Sequence, residues 1–350
     1  MAYTTIDDPG LYFNTIIYTG DGSTKTISGV GFQPDLVWGK GRNSSSDHAL
    51  IDSVRGATKE LSSNNNGVED TNSTSYLTGF TSDGYTVNSS SNLNVNTRTQ
   101  VNWNWKAGTT SGISGSPSIT PASYSFNATA GFSIIKWTGT GANATLPHGL
   151  GVAPAVIIIK NLDGGHWRVY HHKNTSAPET EFLELSDTDA TSDDNTAFND
   201  TAPTSTLFSV GSMDETNKNT EGIIAYCFAE KQGYSKFGSY TGNGNADGTF
   251  VYTGFKPAFI ITKRTNSTSH WLMMDNKRDP FNVADALVVA NDSDSESNWG
   301  TDRKIDFLSN GFKARSTSTG LNVSGSSYIY LAFAESPFVN SAGSVPNNAR

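Results

Sequence analysis

The sequence predicts an all-β protein made of three tandem antiparallel β-sandwich domains. Three observations predict this fold class: a turn-rich composition, a unit that recurs three times, and short apolar runs between turns. The chain has 350 residues, of which 35% are hydrophobic, 16% are charged and 34 are glycine. Short strands joined by many turns have this composition, and a disordered chain would lack the regularly recurring aromatic residues.

One phrase opens the best-buried strand of each unit. It reads GFQPDLVWGK at 31–40, GVAPAVIIIK at 151–160 and GFKPAFIITK at 254–263. Proline cannot donate to a β-ladder, so it belongs at the start of a strand, and the glycine three residues earlier permits the turn before it. The run that follows is apolar at nearly every position. We therefore expect a central strand that is covered on both faces.

The phrase belongs to a larger unit. An aromatic-Thr-Gly mark precedes it at 18–20, 137–139 and 240–242, and the closing strands VNWNWKAG, IAYCFAEK and IYLAFAES end each unit. A period of about 100 residues suits three domains of ordinary size. The expected division is an N-terminal arm at 1–10, repeat 1 at 11–107, a Gly/Ser/Thr/Pro linker at 108–130, repeat 2 at 131–231, repeat 3 at 232–338 and a C-terminal tail at 339–350.

The closing strands alternate with a period of two. One face is bulky and apolar in every repeat, and we expect it to form the core: Val101, Trp103 and Trp105; Ile224, Tyr226 and Phe228; Ile329, Leu331 and Phe333. The other face differs between repeats. Asn102, Asn104 and Lys106 in repeat 1 predict a solvated face. Small residues there in repeats 2 and 3 predict contact with a neighbour, in this chain or in another.

Helical patterns are weak. The segment 279–289, DPFNVADALVV, is the one stretch with some helical period, and it predicts either a short helix or an irregular loop.

Charge and cysteine content exclude several classes of partner. The net charge is −9 with no cluster of Lys and Arg, so no nucleic-acid partner is expected. The single cysteine, Cys227, excludes an internal disulfide and is expected to be buried. The N-terminus has no signal-peptide pattern, and apolar runs such as 155–159 are too short to cross a bilayer, so we expect synthesis in the cytoplasm and no membrane insertion.

A histidine stands near the middle strand of each repeat, at His48, His166 and His270. Three related histidines could bind a metal, but no second ligand recurs at metal spacing, so we interpret each as a polar residue that opens a strand. The acidic loops at 186–195 and 291–298 do not match a calcium-binding loop and are interpreted as solvated, with a weak calcium site as the alternative. No metal and no cofactor are expected.

An acid–base pair follows the middle strand in repeats 1 and 3, as Asp52 with Arg55 and Asp275 with Arg278. We favour an ion pair that fixes the loop over a sugar site. If sugars bind, Trp167 and Trp271 are the aromatic candidates beside Asp275 and Arg278, although a place in the core is the simpler interpretation for both rings. No pair of facing carboxylates and no nucleophile motif is recognised, so an enzyme is not expected.

Several segments together form a specific set: YTTIDDPGLYFNTIIYTGDGS at 3–23, GFQPDLVW, DSVRGATKEL, GFSIIKWTGTG, YCFAEKQGYSKFGSYTGNGNADG, GFKPAFIITKR and YIYLAFAESPF. Through this set nearly the whole chain resembles a family of virion structural proteins of marine tailed phages, chiefly cyanophages. Each repeat is also loosely similar to the jelly-roll sandwich of the H-type lectins. These resemblances imply a place in the virion, other virion proteins of the tail or capsid as partners, and a homotrimer.

Two functions follow from the resemblance. The first is a non-enzymatic tail-fibre or spike-type appendage that contacts host-surface polysaccharide. The second is a capsid decoration or cement protein that binds other virion proteins. An enzyme that degrades polysaccharide is a distant third.

Overall fold

The computed structural model describes residues 3–71, 76–89, 93–298 and 303–343. The chain is all-β, as predicted, and its sheets are antiparallel. No helix in the described part of the chain is long and apolar enough to cross a membrane.

Repeat 1 follows a 3₁₀ helix at Pro9–Leu11. Its strands are β1 (Phe13–Thr19), β2 (Lys25–Ile27), β3 (Leu36–Gly41), β4 (Ala49–Asp52), β5 (Leu77–Thr81), β6 (Gly84–Val87) and β7 (Thr99–Trp105). A larger sheet has the order β1-β7-β3-β4, and a smaller one has the order β2-β6-β5.

Repeat 2 has a seven-stranded sheet of order β14-β13-β12-β11-β16-β9-β8 and a pair, β10-β15. Its elements are β8 (Ser123–Asn127), β9 (Phe132–Thr138), β10 (Ala144–Pro147), β11 (Val156–Asn161), β12 (Arg168–His171), a 3₁₀ helix (Pro178–Thr180), β13 (Glu181–Glu184), β14 (Ser192–Asp193), α1 (Asn195–Phe198), β15 (Leu207–Val210), α2 (Asp214–Asn217) and β16 (Gly222–Phe228).

Repeat 3 has a six-stranded sheet of order β17-β25-β19-β20-β21-β22 and a three-stranded sheet of order β18-β24-β23. Its strands are β17 (Ser235–Thr241), β18 (Phe250–Tyr252), β19 (Phe255–Arg264), β20 (Leu272–Asp275), β21 (Ala286–Val289), β22 (Ser297–Asn298), β23 (Ile305–Leu308), β24 (Gly311–Ala314) and β25 (Ser327–Pro337).

The recurring phrase forms a central strand in each repeat, as its residues predict. It supplies the central strands β3, β11 and β19, each paired on both edges. Pro34 and Pro154 lie just before their strands, whereas Pro257 lies inside β19, where the register shifts on both sides of it. The glycines that begin the phrase adopt positive φ angles of 87°, 74° and 82°: Gly31, Gly151 and Gly254. Such angles favour glycine, because it has no Cβ.

One hydrophobic core joins the three repeats. Its largest cluster takes side chains from the inner face of every larger sheet. The ring centroid of Phe333 in repeat 3 lies 5.1 Å from that of Phe13 and 5.6 Å from that of Trp105, both in repeat 1. It lies 5.9 Å from the ring centroid of Phe228 in repeat 2. The expectation of three separate domains is therefore not confirmed. Each inner face is too apolar to lie in water, and the three faces cover one another.

The small-residue faces of repeats 2 and 3 pack inside their own repeat. Ala225 and Cys227 share a cluster with Leu146 on β10 and Phe208 on β15. The equivalent face of repeat 3 lies against its smaller sheet: Tyr330, Ala332 and Ala334 cluster with Val251 and Phe312. The neighbour predicted for these faces is thus the second sheet of the same repeat.

Three expectations for irregular or polar segments differ from the structure. The closing-strand face of repeat 1 is not solvated, because Asn102 and Asn104 are both 0% exposed. The smaller sheet β2-β6-β5 belongs to a cluster on this side of the larger sheet and accounts for their burial. The linker predicted at 108–130 contains strand β8, which pairs with β9. In the segment 279–289, residues 286–289 form strand β21, so a helix is not formed there.

The described residues near both ends of the chain contact the body of the protein. Ile6 of the N-terminal arm belongs to the shared core. The described part of the C-terminal tail returns to this arm, where the backbone N–H and the hydroxyl of Ser341 donate to the carboxylate of Asp7.

Candidate functional site

Aromatic side chains link neighbouring repeats across the boundaries between them, which we call seams. The indole N–H of Trp167 in repeat 2 donates to the carbonyl oxygen of Ser62 in repeat 1 over 2.9 Å. The indole N–H of Trp271 in repeat 3 donates to the carbonyl oxygen of Glu184 in repeat 2 over 2.7 Å. Both tryptophans are buried. Each therefore satisfies a backbone carbonyl that would otherwise lose its water contact without replacement.

Repeat 1 is linked to repeat 3 by a different pair of side chains, because Ala49 occupies the position of the tryptophan. Trp38 on β3 donates its indole N–H to Nδ1 of His48 over 2.9 Å. Nε2 of His48 then lies 2.9 Å from the carbonyl oxygen of Val289 in repeat 3. Burial, together with the nearby Lys40 charge, lowers the pKa of His48 to about 3, which keeps the ring neutral.

The acid–base pairs lie in the same seams. Asp275 accepts from Nε of Arg278 over 2.6 Å and from the indole N–H of Trp103, in repeat 1, over 3.2 Å. Asp52 accepts from Nε of Arg55 over 2.5 Å and from the hydroxyl of Tyr226, in repeat 2, over 2.8 Å. Each carboxylate also accepts backbone N–H groups of the loop that follows it. The interpretation as loop-fixing ion pairs is confirmed, and the pairs also join repeats.

Repeat 2 has no such pair. His171 stands at the position of the aspartate, and its Nε2 lies 3.2 Å from the carbonyl oxygen of Tyr330 in repeat 3. The histidine contacts backbone because Leu331, which stands where the donors Trp103 and Tyr226 stand, has no polar group.

The lysine that ends the phrase also donates hydrogen bonds across two of the seams. Lys40 Nζ donates to the carbonyl oxygen of Ser293 in repeat 3 over 3.0 Å, and Lys263 Nζ donates to that of Thr188 in repeat 2 over 2.9 Å. All three phrase lysines are 0% exposed: Lys40, Lys160 and Lys263. Burial lowers the pKa of each to about 8.

The two acidic loops lie beside these lysines. Carboxylates of Asp187 and Asp189 raise the pKa of Lys263 against the effect of burial, and those of Asp292 and Asp294 do so for Lys40. The loops thus supply counter-charge to the neighbouring repeat, which is a structural role that spacing along the chain does not reveal.

The residues that the sequence suggested for sugar binding lie in these seams. Trp167 is 0% exposed, Trp271 is 2%, Asp275 is 1% and Arg278 is 7%. A pyranose stacks on an open ring face, and neither tryptophan offers one. Glycan binding at these four side chains stays a prediction that their burial does not support.

An open cleft of about 450 Å³ lies where repeats 2 and 3 meet the N-terminal arm. Its polar and aromatic lining comes from Tyr3, Glu230, Gln232, Lys236 and Tyr252. We call it the tyrosine cleft. The Tyr252 side chain is 55% exposed, in contrast to the buried tryptophans of the seams.

Local structure positions the two tyrosines. On strand β18 Val251 points into the core while Tyr252 points outward, because successive side chains alternate between faces. The positive φ of Gly254 then turns the chain, and the hydroxyl of Tyr3 donates to the Gly254 carbonyl oxygen over 2.5 Å. The positive φ favours glycine here, and a Cβ at Gly254 would lie 2.8 Å from the Tyr3 oxygen, which would then have to shift.

Short contacts hold the acidic wall of the cleft. Glu230 accepts from the backbone N–H of Phe237 over 2.9 Å and from Nζ of Lys236 over 3.1 Å. The opposite end is anchored by Thr4, whose hydroxyl donates to the carbonyl oxygen of Gln232 over 2.8 Å. Burial and a hydrogen bond to Tyr252 both raise the pKa of Tyr3, so its hydroxyl stays protonated at neutral pH.

The tyrosine cleft offers aromatic surface beside hydrogen-bonding groups. Tyr252 presents an apolar ring, while Gln232 and Lys236 supply donors and Glu230 supplies acceptors. Of the described residues that line the cleft, Glu230 alone carries a carboxylate. Acid-assisted glycoside hydrolysis uses a facing pair. The arrangement suits binding of a polyhydroxylated ligand more than its cleavage.

The sequence did contain a signal for this cleft. Aromatic residues alternate with valine in FVY at 250–252, as expected for an edge strand with one exposed face. What the sequence could not reveal is that Tyr3, about 250 residues away, lies beside Tyr252.

Residues 8–337 match one protein family, described as a domain of unknown function, DUF7483. No curated protein and no solved structure matches the chain.

Proposed function

The chain belongs to the DUF7483 family, and from the resemblance of its sequence to virion structural proteins we propose a non-enzymatic structural protein of a phage virion, a fibre- or spike-type appendage. From the geometry of the tyrosine cleft we propose that it contacts host-surface polysaccharide there. The observation that carries the proposal is the exposed ring of Tyr252 beside converging polar groups. Ring stacking and hydroxyl recognition in one open cleft are what a sugar polymer requires.

The body of the protein supports a structural role. Polar and aromatic side chains join the repeats, as with Trp103 and Asp275, Trp271 and Glu184, or Lys263 and Thr188. A chain tied together in this way holds a surface cleft in a fixed geometry. Pre-formed sites lose less conformational entropy on binding, which suits repeated contacts along a glycan.

The experiment is binding of the purified chain to polysaccharide extracted from the host surface. We expect saturable binding that is weakened about tenfold or more in Tyr252→Ala, because the lost ring contact is worth about 1.5 kcal/mol. Phe250→Ala is the matched control, because Phe250 lies on the same face of β18, is 46% exposed and does not line the cleft. Equal binding by both variants would contradict the proposed site.

Assignment to the virion needs a separate test. Antibody labelling of intact phage particles is expected to mark the tail or its appendages. Labelling over the head would favour the second function proposed for the chain, a capsid decoration or cement protein that binds other virion proteins. An exposed apolar pair supports that alternative, since Phe281 is 80% exposed and Val283 is 43% exposed.

Oligomeric state is part of the proposal. The resemblance implies a homotrimer of this chain, which we retain, while the three inner faces of the repeats are already covered within one chain. Light scattering of the purified protein is expected to give three times the mass of the chain. A mass of one chain would instead favour a protein that attaches to the virion as a single body of three repeats.

A further inference from the structure

We propose that His166, Glu184 and Asp187 bind one divalent transition-metal ion of the zinc class, at the seam between repeats 1 and 2. His166 lies just before β12, Glu184 ends β13 and Asp187 follows it. One ligand atom from each residue lies within 4.8 Å of the other two. Nδ1 of His166 is already 2.8 Å from Oε2 of Glu184. The proposal is independent of the tyrosine cleft.

Antiparallel pairing brings these residues together. In the ladder between β12 and β13, Arg168 lies opposite Glu184, so the residues just before β12 and just after β13 meet at one edge. All three ligand side chains are half-buried. They are therefore accessible to an entering ion. Ligand atoms bound to zinc at about 2.0–2.1 Å lie about 3.3 Å from one another, and the present separations, from 2.8 Å to at most 4.8 Å, bracket that value.

The donor set selects the class of metal. Imidazole nitrogen and carboxylate oxygen are both ligands that zinc accepts, and three protein ligands leave a fourth tetrahedral position for water. An imidazole argues against calcium and magnesium, which take oxygen ligands. The hydroxyl of Ser186, 3.4 Å from Nδ1 of His166, lies near the same position.

A second contact orients the histidine ring. Nε2 of His166 lies 3.1 Å from the side-chain amide of Asn66 in repeat 1. Because the oxygen and nitrogen ends of an amide can be exchanged by rotation, Asn66 can accept a hydrogen bond from the Nε2–H through its oxygen. A metal-bound histidine usually donates its other ring N–H in this way. The backbone N–H of Gly165, which donates to the Asn66 carbonyl oxygen over 3.0 Å, holds the two segments together.

The neighbouring cation does not remove the negative charge. Arg168 contacts Oε1 of Glu184 through one nitrogen and Glu215 through the other. Oε2 of Glu184, the oxygen beside His166, is left for the metal. Glu184 and Glu215 share this guanidinium, while the charge of Asp187 lies near the buried Lys263.

Repeat 3 supplies a matched control. His270 occupies the position of His166, and its Nδ1 lies 3.2 Å from the amide of Asn291. The carbonyl oxygen of Val289 contacts a side chain of repeat 1, just as the carbonyl oxygen of Glu184 contacts a side chain of repeat 3. Val289 therefore occupies the position of Glu184, and it has no carboxylate. The two histidines thus share a location while one lacks the central ligand.

The test is calorimetric titration of the EDTA-treated full chain with zinc, followed by cobalt titration with visible absorption as an independent readout of a tetrahedral site. We expect one ion per chain at micromolar zinc. His166→Gln and Asp187→Asn each remove a ligand and should weaken binding by at least the roughly tenfold to hundredfold that loss of an outer-shell partner costs, while His270→Gln leaves it unchanged. Circular dichroism of each variant verifies folding.

Two results would overturn the proposal. One is the lack of saturable binding at one ion per chain in the folded protein. The other is equal binding by His166→Gln and the parent chain, which would assign the ion to another location.

Discussion

The indole N–H of Trp271, in repeat 3, donates to the carbonyl oxygen of Glu184, in repeat 2, over 2.7 Å. Because Trp271 is buried at this seam, its indole N–H cannot exchange the carbonyl oxygen for water. The contact has counterparts at the other two seams, so each repeat depends on the next for satisfaction of its buried polar groups.

Loss of this contact is expected to destabilise the whole chain. Trp271→Phe keeps a ring in the core but leaves the Glu184 carbonyl unpaired, which costs about 1–3 kcal/mol of unfolding free energy. Urea unfolding followed by circular dichroism measures the change. Tyr252→Phe is the control, since Tyr252 is exposed, and it should change stability by less than about 0.5 kcal/mol. A Trp271→Phe variant as stable as the parent would refute the role assigned to the seam.

Removal of one partner of the buried ion pair is expected to be more costly. Arg278→Met leaves Asp275 as an uncompensated buried charge, and we expect a loss of about 3–5 kcal/mol. The double substitution Asp275→Leu with Arg278→Met should recover part of this loss, because no charge stays buried. Recovery is incomplete because Trp103 loses its acceptor. The same urea experiment measures the free energy of unfolding of both variants. A double variant less stable than Arg278→Met would contradict the account.

The buried lysines predict that stability rises with pH. The folded-state pKa of Lys40, Lys160 and Lys263 is about 8, below their ordinary value of 10.5. Between these values the unfolded chain binds more protons, so unfolding becomes less favourable as pH increases. We expect a gain of about 1 kcal/mol per lysine between pH 8 and 9. Above pH 9 the buried thiol of Cys227, whose pKa is raised to about 12, works in the opposite direction.

Urea unfolding at several pH values measures this slope. Lys263→Met should flatten it by about one third, because one of three lysines is removed. Lys277→Met, at an exposed position, should leave the slope unchanged. A slope that is the same in all three proteins would contradict the assignment to buried lysines.

Glycan binding separates the tyrosine cleft from the residues that the sequence alone suggested. Trp167→Phe is expected to bind host polysaccharide as the parent does, because its ring is buried, while Tyr252→Ala binds about tenfold more weakly. If Trp167→Phe lost binding while Tyr252→Ala kept it, the glycan site would lie at the seam and not in the tyrosine cleft. Folding of Trp167→Phe is verified by its urea transition.

Local features of the fold could be predicted from sequence. The phrase ending in Lys40 predicted a central strand, and the alternation of Val101, Trp103 and Trp105 predicted the core face of another. Both follow from rules that act over a few residues, namely proline geometry and the period of two. The same rules could not predict that three core faces meet one another, since such contacts join residues more than 100 positions apart.

The sites were harder to predict for the same reason. Asn102 and Asn104 looked solvent-exposed because polar side chains usually are, yet they are fully buried. His166 looked isolated because its partners Glu184 and Asp187 become neighbours only through strand pairing. The sequence identified several chemically capable residues but not which of them face water.

All of these predictions rest on the three repeats forming one folded body. Cys227 tests this most directly, since it is 0% exposed in repeat 2 and its labelling by a thiol reagent reports opening of that repeat alone. We predict that the urea dependence of Cys227 labelling coincides with that of tryptophan fluorescence from the whole chain, and that Trp271→Phe in repeat 3 shifts both curves together. Separate transitions, or a Cys227 curve unmoved by Trp271→Phe, would show that the repeats unfold independently and would contradict the account.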